Sequence, residues 1–89
     1  MLKQTLNIVN KLGLHARAAA KLVKLASSFE SQVQVKRQQR EVNGKSIMGV
    51  MLLAAGKGTE IELIVDGVDE NTAMAELTQL IQSGFGEEE

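Results

Sequence analysis

The sequence of 89 residues contains no cysteine, proline, tryptophan or tyrosine, and it has one histidine and two phenylalanines. Without cysteine the chain has no disulfide, no thiol nucleophile and no cysteine-based zinc site. A transition-metal site would depend on carboxylates, and no Asp/Glu group has the required spacing, so we expect no metal and no other cofactor. Two aromatic rings are too few for a base-stacking surface, so we expect no nucleic-acid partner.

Long apolar runs are also missing. No segment approaches the roughly 20 apolar residues of a membrane-spanning helix, and the first stretch, MLKQTLNIVN, lacks the hydrophobic region of a signal peptide. The formal net charge of −1 gives no overall attraction to nucleic acid. We therefore expect one cytoplasmic domain over residues 1–89, without membrane insertion, whose acidic tail (87–89) frays.

The spacing of apolar residues predicts seven elements. Alternation predicts strands at 2–9, 32–36, 40–44 and 60–67. A helical period predicts helices from Ala16, over 46–54, and from a cap at Asp69 to a stop at Gly84. The order β-α-β-β-α-β-α predicts an α+β open-faced sandwich, in which three helices cover one face of a four-stranded antiparallel sheet.

The single histidine stands where the first predicted helix begins. The opening amides of that helix, those of Ala16, Arg17 and Ala18, have no carbonyl partners and point back at His15. The helix dipole and the Arg17 guanidinium favour an anion there, phosphate above all. A neutral imidazole beside an anion site is a nucleophile that accepts phosphoryl groups. The alternative is a tolerated surface histidine.

The segment SIMGVMLLA (46–54) predicts a short helix with more apolar residues than one face buries. Ser46 takes the N-cap position, and Val50 and Leu53 are the expected core residues. The side chains left largely exposed are those of Ile47, Met48, Met51 and Leu52. A methionine-rich patch suits docking to more than one partner, and phosphate on Ser46 would place charge beside it. The alternative is that all six apolar side chains are buried.

Three segments, NKLGLHARAAAKLV, GKSIMGVMLLAAGKGTEIEL and DENTAMAELTQLIQSGF, closely resemble the HPr family, the histidine-containing phosphocarriers of the bacterial phosphotransferase system. The resemblance covers essentially the whole chain and implies the same open sandwich. His15 matches the histidine that receives a phosphoryl group on Nδ1 from phosphorylated enzyme I and passes it to sugar-specific enzyme II components, including those of the A type. Arg17 matches the arginine that balances the phosphoryl charge. The resemblance implies a carrier, not an enzyme in the strict sense.

The resemblance also implies a regulated docking surface. Ser46 matches the serine that HPr kinase/phosphorylase modifies in bacteria that possess this kinase. Ile47, Met48 and Met51 match the partner-docking face, to which we add Leu52. Basic residues suited to acidic partners accompany this face: Lys21, Lys24 and Lys45. The carrier is expected to be a monomer.

One position departs from the family pattern, which usually reads His-Ala-Arg-Pro. The fourth residue here is Ala18, which keeps the helix and adds one free amide near the phosphate site. The ending SGFGEEE is similar to the nitrogen-branch relative of HPr, so a nitrogen-branch relay is one alternative. Another is a non-catalytic regulatory module of the same fold that acts through Ser46, although paralogues of that kind lack His15.

Overall fold

A computed structural model describes residues 1–87 of the protein. Its elements follow the predicted order. They are β1 (Leu2–Asn7), α1 (Ala16–Ser27), β2 (Gln32–Arg37), β3 (Arg40–Asn43), α2 (Ile47–Leu52), β4 (Glu60–Asp66), α3 (Glu70–Gln82) and a short 3₁₀-helix (Gly84–Gly86). None of the helices in this part of the chain is both long enough and apolar enough to cross a membrane.

The four strands form one antiparallel sheet in the order β1-β4-β2-β3. Leu6 of β1 lies opposite Ile61, and Val35 of β2 lies opposite Leu63. Because alternate residues of a strand share a face, apolar side chains from the three adjacent strands collect on one side of the sheet. The helices cover that side: α3 packs on β1 and β4, and α1 contacts both α2 and α3. The predicted α+β open-faced sandwich is confirmed.

The first strand is shorter than its alternation predicts, because the ladder with β4 ends at Asn7 instead of residue 9. Ile8 is still tied to the segment before β4. Its amide donates to the Thr59 carbonyl at 2.9 Å, and its carbonyl accepts from the Gly58 amide at 2.7 Å. The Ile8 side chain is buried, so the apolar pattern indicated burial correctly but overextended the strand.

Each of the three helices buries one face. Their buried residues are Ala18, Ala19, Leu22 and Ala26 in α1, Val50 in α2, and Ala73, Met74, Leu77 and Ile81 in α3. Gly84 follows the C-cap of α3 with φ of +69°, as expected of a helix-ending glycine. Asp69 is the N-cap residue of α3, but its side chain makes no cap hydrogen bond and instead bonds to Glu30 and Ser31.

The chain does not fray at residue 87. Gly84, Phe85 and Gly86 all have positive φ, and the turn they make buries the Phe85 ring in the core. This turn places Glu87 against the loop before α1, where its carboxylate is hydrogen bonded. The expectation of a frayed tail is therefore wrong at Glu87, because the anchor provided by Phe85 was not foreseen. Residues 88 and 89 lie outside the described residues.

Candidate functional site

The loop that presents His15 is fixed by Gly13 and Leu14. Gly13 has φ of +67°, and a Cβ there would lie 2.4 Å from the Ala55 carbonyl oxygen. Only glycine combines this left-handed conformation with so close an approach. The amide of Leu14 donates to the same carbonyl at 2.9 Å, and the Leu14 side chain is buried. His15 follows directly from this anchored backbone, with 27 % of its side chain exposed.

His15 is the N-cap residue of α1, with extended backbone angles of −75° and 177°. Its Nδ1 accepts a hydrogen bond from the Arg17 amide at 3.3 Å, so an opening amide of the helix does point at the imidazole, as predicted. An acceptor nitrogen carries a lone pair instead of a proton. Nδ1 is therefore the unprotonated nitrogen, located at the positive end of the helix dipole.

The other ring nitrogen contacts a residue that sequence reasoning missed. Nε2 of His15 is hydrogen bonded to Oε2 of Glu87, and Oε1 of Glu87 accepts from Asn10 Nδ2 at 2.8 Å. Asn10 is buried and also donates to the Gly13 carbonyl at 2.8 Å. The hydrogen bond from Asn10 lowers the pKa of the Glu87 carboxyl below its usual range, and the hydrogen bond from His15 lowers it further by a smaller amount. A carboxylate only accepts, so Nε2 carries the proton.

Neither Asn10 nor Glu87 carries a signal in the local sequence pattern that would assign it to a site. The contact between His15 and Glu87 spans 72 positions of the chain. The one usable indication is Phe85, a large apolar residue just beyond the helix-ending Gly84. A residue of that kind often packs back against the helix it follows, and this would bring the next residues toward the core.

The basic residues near His15 have different environments. Arg17 is exposed, and within residues 1–87 its guanidinium makes no hydrogen bond or ion pair, so its donors are open to an anion. Lys24 is exposed on α1. The Lys21 ammonium instead donates to the Phe85 carbonyl at 2.7 Å and holds the turn that carries Glu87. The Lys45 ammonium donates to the Phe29 carbonyl at 2.8 Å, just beyond the end of α1.

Helix α2 is short, and most of its apolar side chains are exposed. Val50 and Leu53 are buried, as predicted. The exposed apolar side chains, here called the α2 patch, are 41–73 % accessible and belong to Ile47, Met48, Met51 and Leu52. The alternative in which all six are buried is wrong. Ser46 caps the helix by accepting from the Gly49 amide at 3.1 Å.

The α2 patch and His15 belong to neighbouring parts of the surface. Helices α1 and α2 are in contact, and the Leu14 amide is bonded to Ala55, just beyond α2. The arrangement combines a nucleophilic nitrogen, an exposed guanidinium, a helix N-terminus and an apolar surface. Within the described residues no group of three His, Cys, Asp or Glu side chains could hold a metal ion. The chemistry available to these residues is anion binding and nucleophilic attack by Nδ1.

Known proteins resemble the chain over its whole length. A family model described as the PTS HPr component phosphorylation site matches residues 2–83. The phosphocarrier protein HPr of Neisseria meningitidis serogroup A is 60 % identical, with 100 % of both chains covered. A crystal structure of HPr from Thermoanaerobacter tengcongensis has a TM-score of 0.96 and 47 % identity over 100 % of both chains. Another structure, described as a dimer of that HPr, has a TM-score of 0.78 and covers 98 % of this chain and 100 % of that one.

Proposed function

The chain belongs to the HPr family, the phosphocarriers of the bacterial phosphotransferase system, and we propose that His15 accepts a phosphoryl group from phosphorylated enzyme I and passes it to A-type enzyme II components. The observation that carries the proposal is the unprotonated Nδ1, which accepts from the Arg17 amide at the start of α1. As a family member that exchanges phosphoryl groups with other proteins, it is expected in the cytoplasm and as a monomer.

The transfer requires little beyond positioning and charge balance. The hydrogen bond from the Arg17 amide breaks and the freed lone pair of Nδ1 attacks phosphorus, while the bond between phosphorus and the donor nitrogen breaks and its electron pair stays on the donor imidazole. The positive end of α1 and the exposed Arg17 guanidinium favour the phosphoryl oxygens beside His15. Ala18 supports this site as a buried residue of the first turn.

The α2 patch is the surface we propose for docking enzyme I and the enzyme II components. Thioethers repack easily, so Met48 and Met51 suit a carrier that must bind different partners in turn. Lys24 on the neighbouring helix, with Lys21 and Lys45, adds positive charge suited to acidic partner surfaces. Ser46 at the N-cap of α2 is the proposed site of regulatory phosphorylation by a kinase of the HPr kinase/phosphorylase type.

The test is incubation of the purified protein with enzyme I from the same organism, Mg²⁺ and labelled phosphoenolpyruvate, with His15→Ala alongside. We expect acid-labile, alkali-stable label on the wild type and none on the variant, because phosphohistidine has that stability. The imidazole is a weak cap, so its loss should cost no more than about 1 kcal/mol and the variant should remain folded in thermal unfolding. Labelling of His15→Ala, or no labelling of the wild type by an active enzyme I, would contradict the proposal.

A second experiment offers sugar-branch and nitrogen-branch acceptor proteins separately to the labelled protein. The acceptor that takes up the label faster distinguishes the two relays.

A further inference from the structure

The contact between Glu87 and His15 belongs to a supported arrangement. Oε1 of Glu87 accepts from Asn10, whose side chain is buried and also donates to the Gly13 carbonyl. The backbone carrying Glu87 is held by the buried Phe85 ring and by the hydrogen bond from Lys21 to the Phe85 carbonyl. Only 13 % of the Glu87 side chain is exposed. The carboxylate is therefore placed by the core and by the same loop that presents the imidazole.

We propose that Glu87 is a positioning residue for phosphoryl transfer: its carboxylate keeps the His15 proton on Nε2 and so leaves Nδ1 as the nucleophile. This inference rests on the proposed function of His15. A free imidazole places its proton on either nitrogen, and only the form with an unprotonated Nδ1 is able to attack phosphorus through that atom. The contacts at the two ring nitrogens agree, since an amide donates to Nδ1 and a carboxylate accepts from Nε2.

Glu87 has a second effect, because it also stabilises the positive charge that forms on the His15 ring during the transfer. When Nδ1 bonds to phosphorus, the Nε2 proton stays on the ring, and the ring becomes a positively charged N-phosphoimidazolium. The donor imidazole is left neutral with the electron pair of the broken bond. A carboxylate already hydrogen bonded to Nε2 stabilises this developing charge more than it stabilises the neutral ring. The lowered pKa of Glu87 keeps that carboxyl ionised near neutral pH.

The test compares Glu87→Gln with Glu76→Gln, which makes the same change of charge at an exposed position of α3. Glutamine offers both a donor and an acceptor, so it pairs with either tautomer and removes the part of the preference that Glu87 supplies, while the Arg17 amide still donates to Nδ1. The ¹⁵N shifts of the His15 ring, recorded at about pH 8.5, where free imidazole is neutral, report the tautomer directly. We expect the Nε2–H form to predominate in the wild type and in Glu76→Gln, and the fraction of the Nδ1–H form to rise in Glu87→Gln.

Phosphoryl acceptance from enzyme I is then measured at low donor concentration. We expect the rate to fall roughly tenfold in Glu87→Gln and to be unchanged in Glu76→Gln, a loss typical of removing the partner that orients a reactive imidazole. Glu87→Asp, which keeps the carboxylate, should recover part of the rate. A tautomer ratio equal to that of the wild type, or an unchanged rate, would overturn the role of Glu87.

Failure of this inference is distinguishable from failure of the proposed function. If His15 is labelled in the wild type and in Glu87→Gln at equal rates, the carrier function stands and the positioning role is wrong. If the wild type accepts no label, the carrier function fails, and with it any role of Glu87 in transfer. Two-dimensional NMR spectra of the variants verify that the fold is retained, so that a lost rate is not a lost structure.

Discussion

At the scale of single residues, the histidine at the start of α1 is a weak helix cap. Serine, threonine, aspartate and asparagine cap better, because a short side-chain oxygen reaches the free amides. The imidazole reaches the Arg17 amide at 3.3 Å, longer than the 3.1 Å between Ser46 and Gly49 at the start of α2. In return, an unprotonated nitrogen lies at the positive end of a helix, which matches the proposed role of His15 as phosphoryl acceptor.

Gly13 is the residue on which the presentation of His15 depends, so Gly13→Ala is expected to be destabilising. The added Cβ meets the Ala55 carbonyl, and φ of +67° is strained for alanine. The free energy of unfolding should fall by about 1–3 kcal/mol, measured by urea denaturation. Gly56→Ala is the matched control, because a Cβ there has nothing within 4 Å and that glycine has no positive φ. Equal stabilities of the two variants would contradict the assigned role of Gly13.

At the scale of elements, α2 shows how length decides exposure. A helix of six residues lying on other structure buries little more than one side of itself. Only Val50 within it is buried, and Leu53 follows at its C-cap. Its N-terminus is stabilised locally by Ser46, so the element keeps its shape while presenting an apolar surface. A locally stabilised helix with an exposed apolar surface fits the docking role proposed for α2.

Ser46→Asp is expected to weaken docking to enzyme I while leaving α2 folded. Aspartate is as good an N-cap as serine, but it places a negative charge beside Ile47 and Met48. We expect a loss of affinity of roughly five- to tenfold, measured by calorimetry.

Ser46→Ala is the control, because it should change stability and not affinity. It removes the cap and should cost about 1 kcal/mol of stability, but it adds no charge, so affinity should remain near that of the wild type. If Ser46→Asp binds as well as the wild type, the α2 patch is not the docking surface. If Ser46→Ala binds as weakly as Ser46→Asp, the effect comes from the cap and not from charge.

At the scale of the whole molecule, polar contacts connect the start of α3 to segments that are distant from it in the sequence. Asp69, before α3, accepts from the amides of Glu30 and Ser31 at 2.9 Å each and from the Ser31 hydroxyl. It thereby ties the start of α3 to the connection between α1 and β2. The Met1 amino group pairs with Glu70 at 3.1 Å, which holds the beginning of β1 against the same helix.

These contacts predict the acid stability of the protein. Hydrogen bonds from the Ser31 hydroxyl and then the Glu30 amide lower the pKa of Asp69 below its unfolded value. The stability that Asp69 contributes is therefore fully present above about pH 4, where the carboxyl of an unfolded chain is ionised. It is lost as the pH falls through the lower pKa of the folded state. In urea denaturation between neutral pH and about pH 2.5, the wild type should lose more stability than Asp69→Asn. Parallel curves would contradict this, and Glu76→Gln controls for the change in charge.

The sequence by itself determined the periods of the strands and helices, their order, the position of His15 at a helix start and the apolar excess of α2. These features depend on residues a few positions apart, whose spacing is visible in the chain. Only the tertiary structure decided that Glu87 and Asn10 meet at His15, that Asp69 bonds to Ser31 instead of capping its own helix, and that Lys21 holds the terminal turn. Each of these contacts depends on how distant segments pack, and those of Glu87 and Lys21 depend on the burial of Phe85 and on the left-handed turn around it.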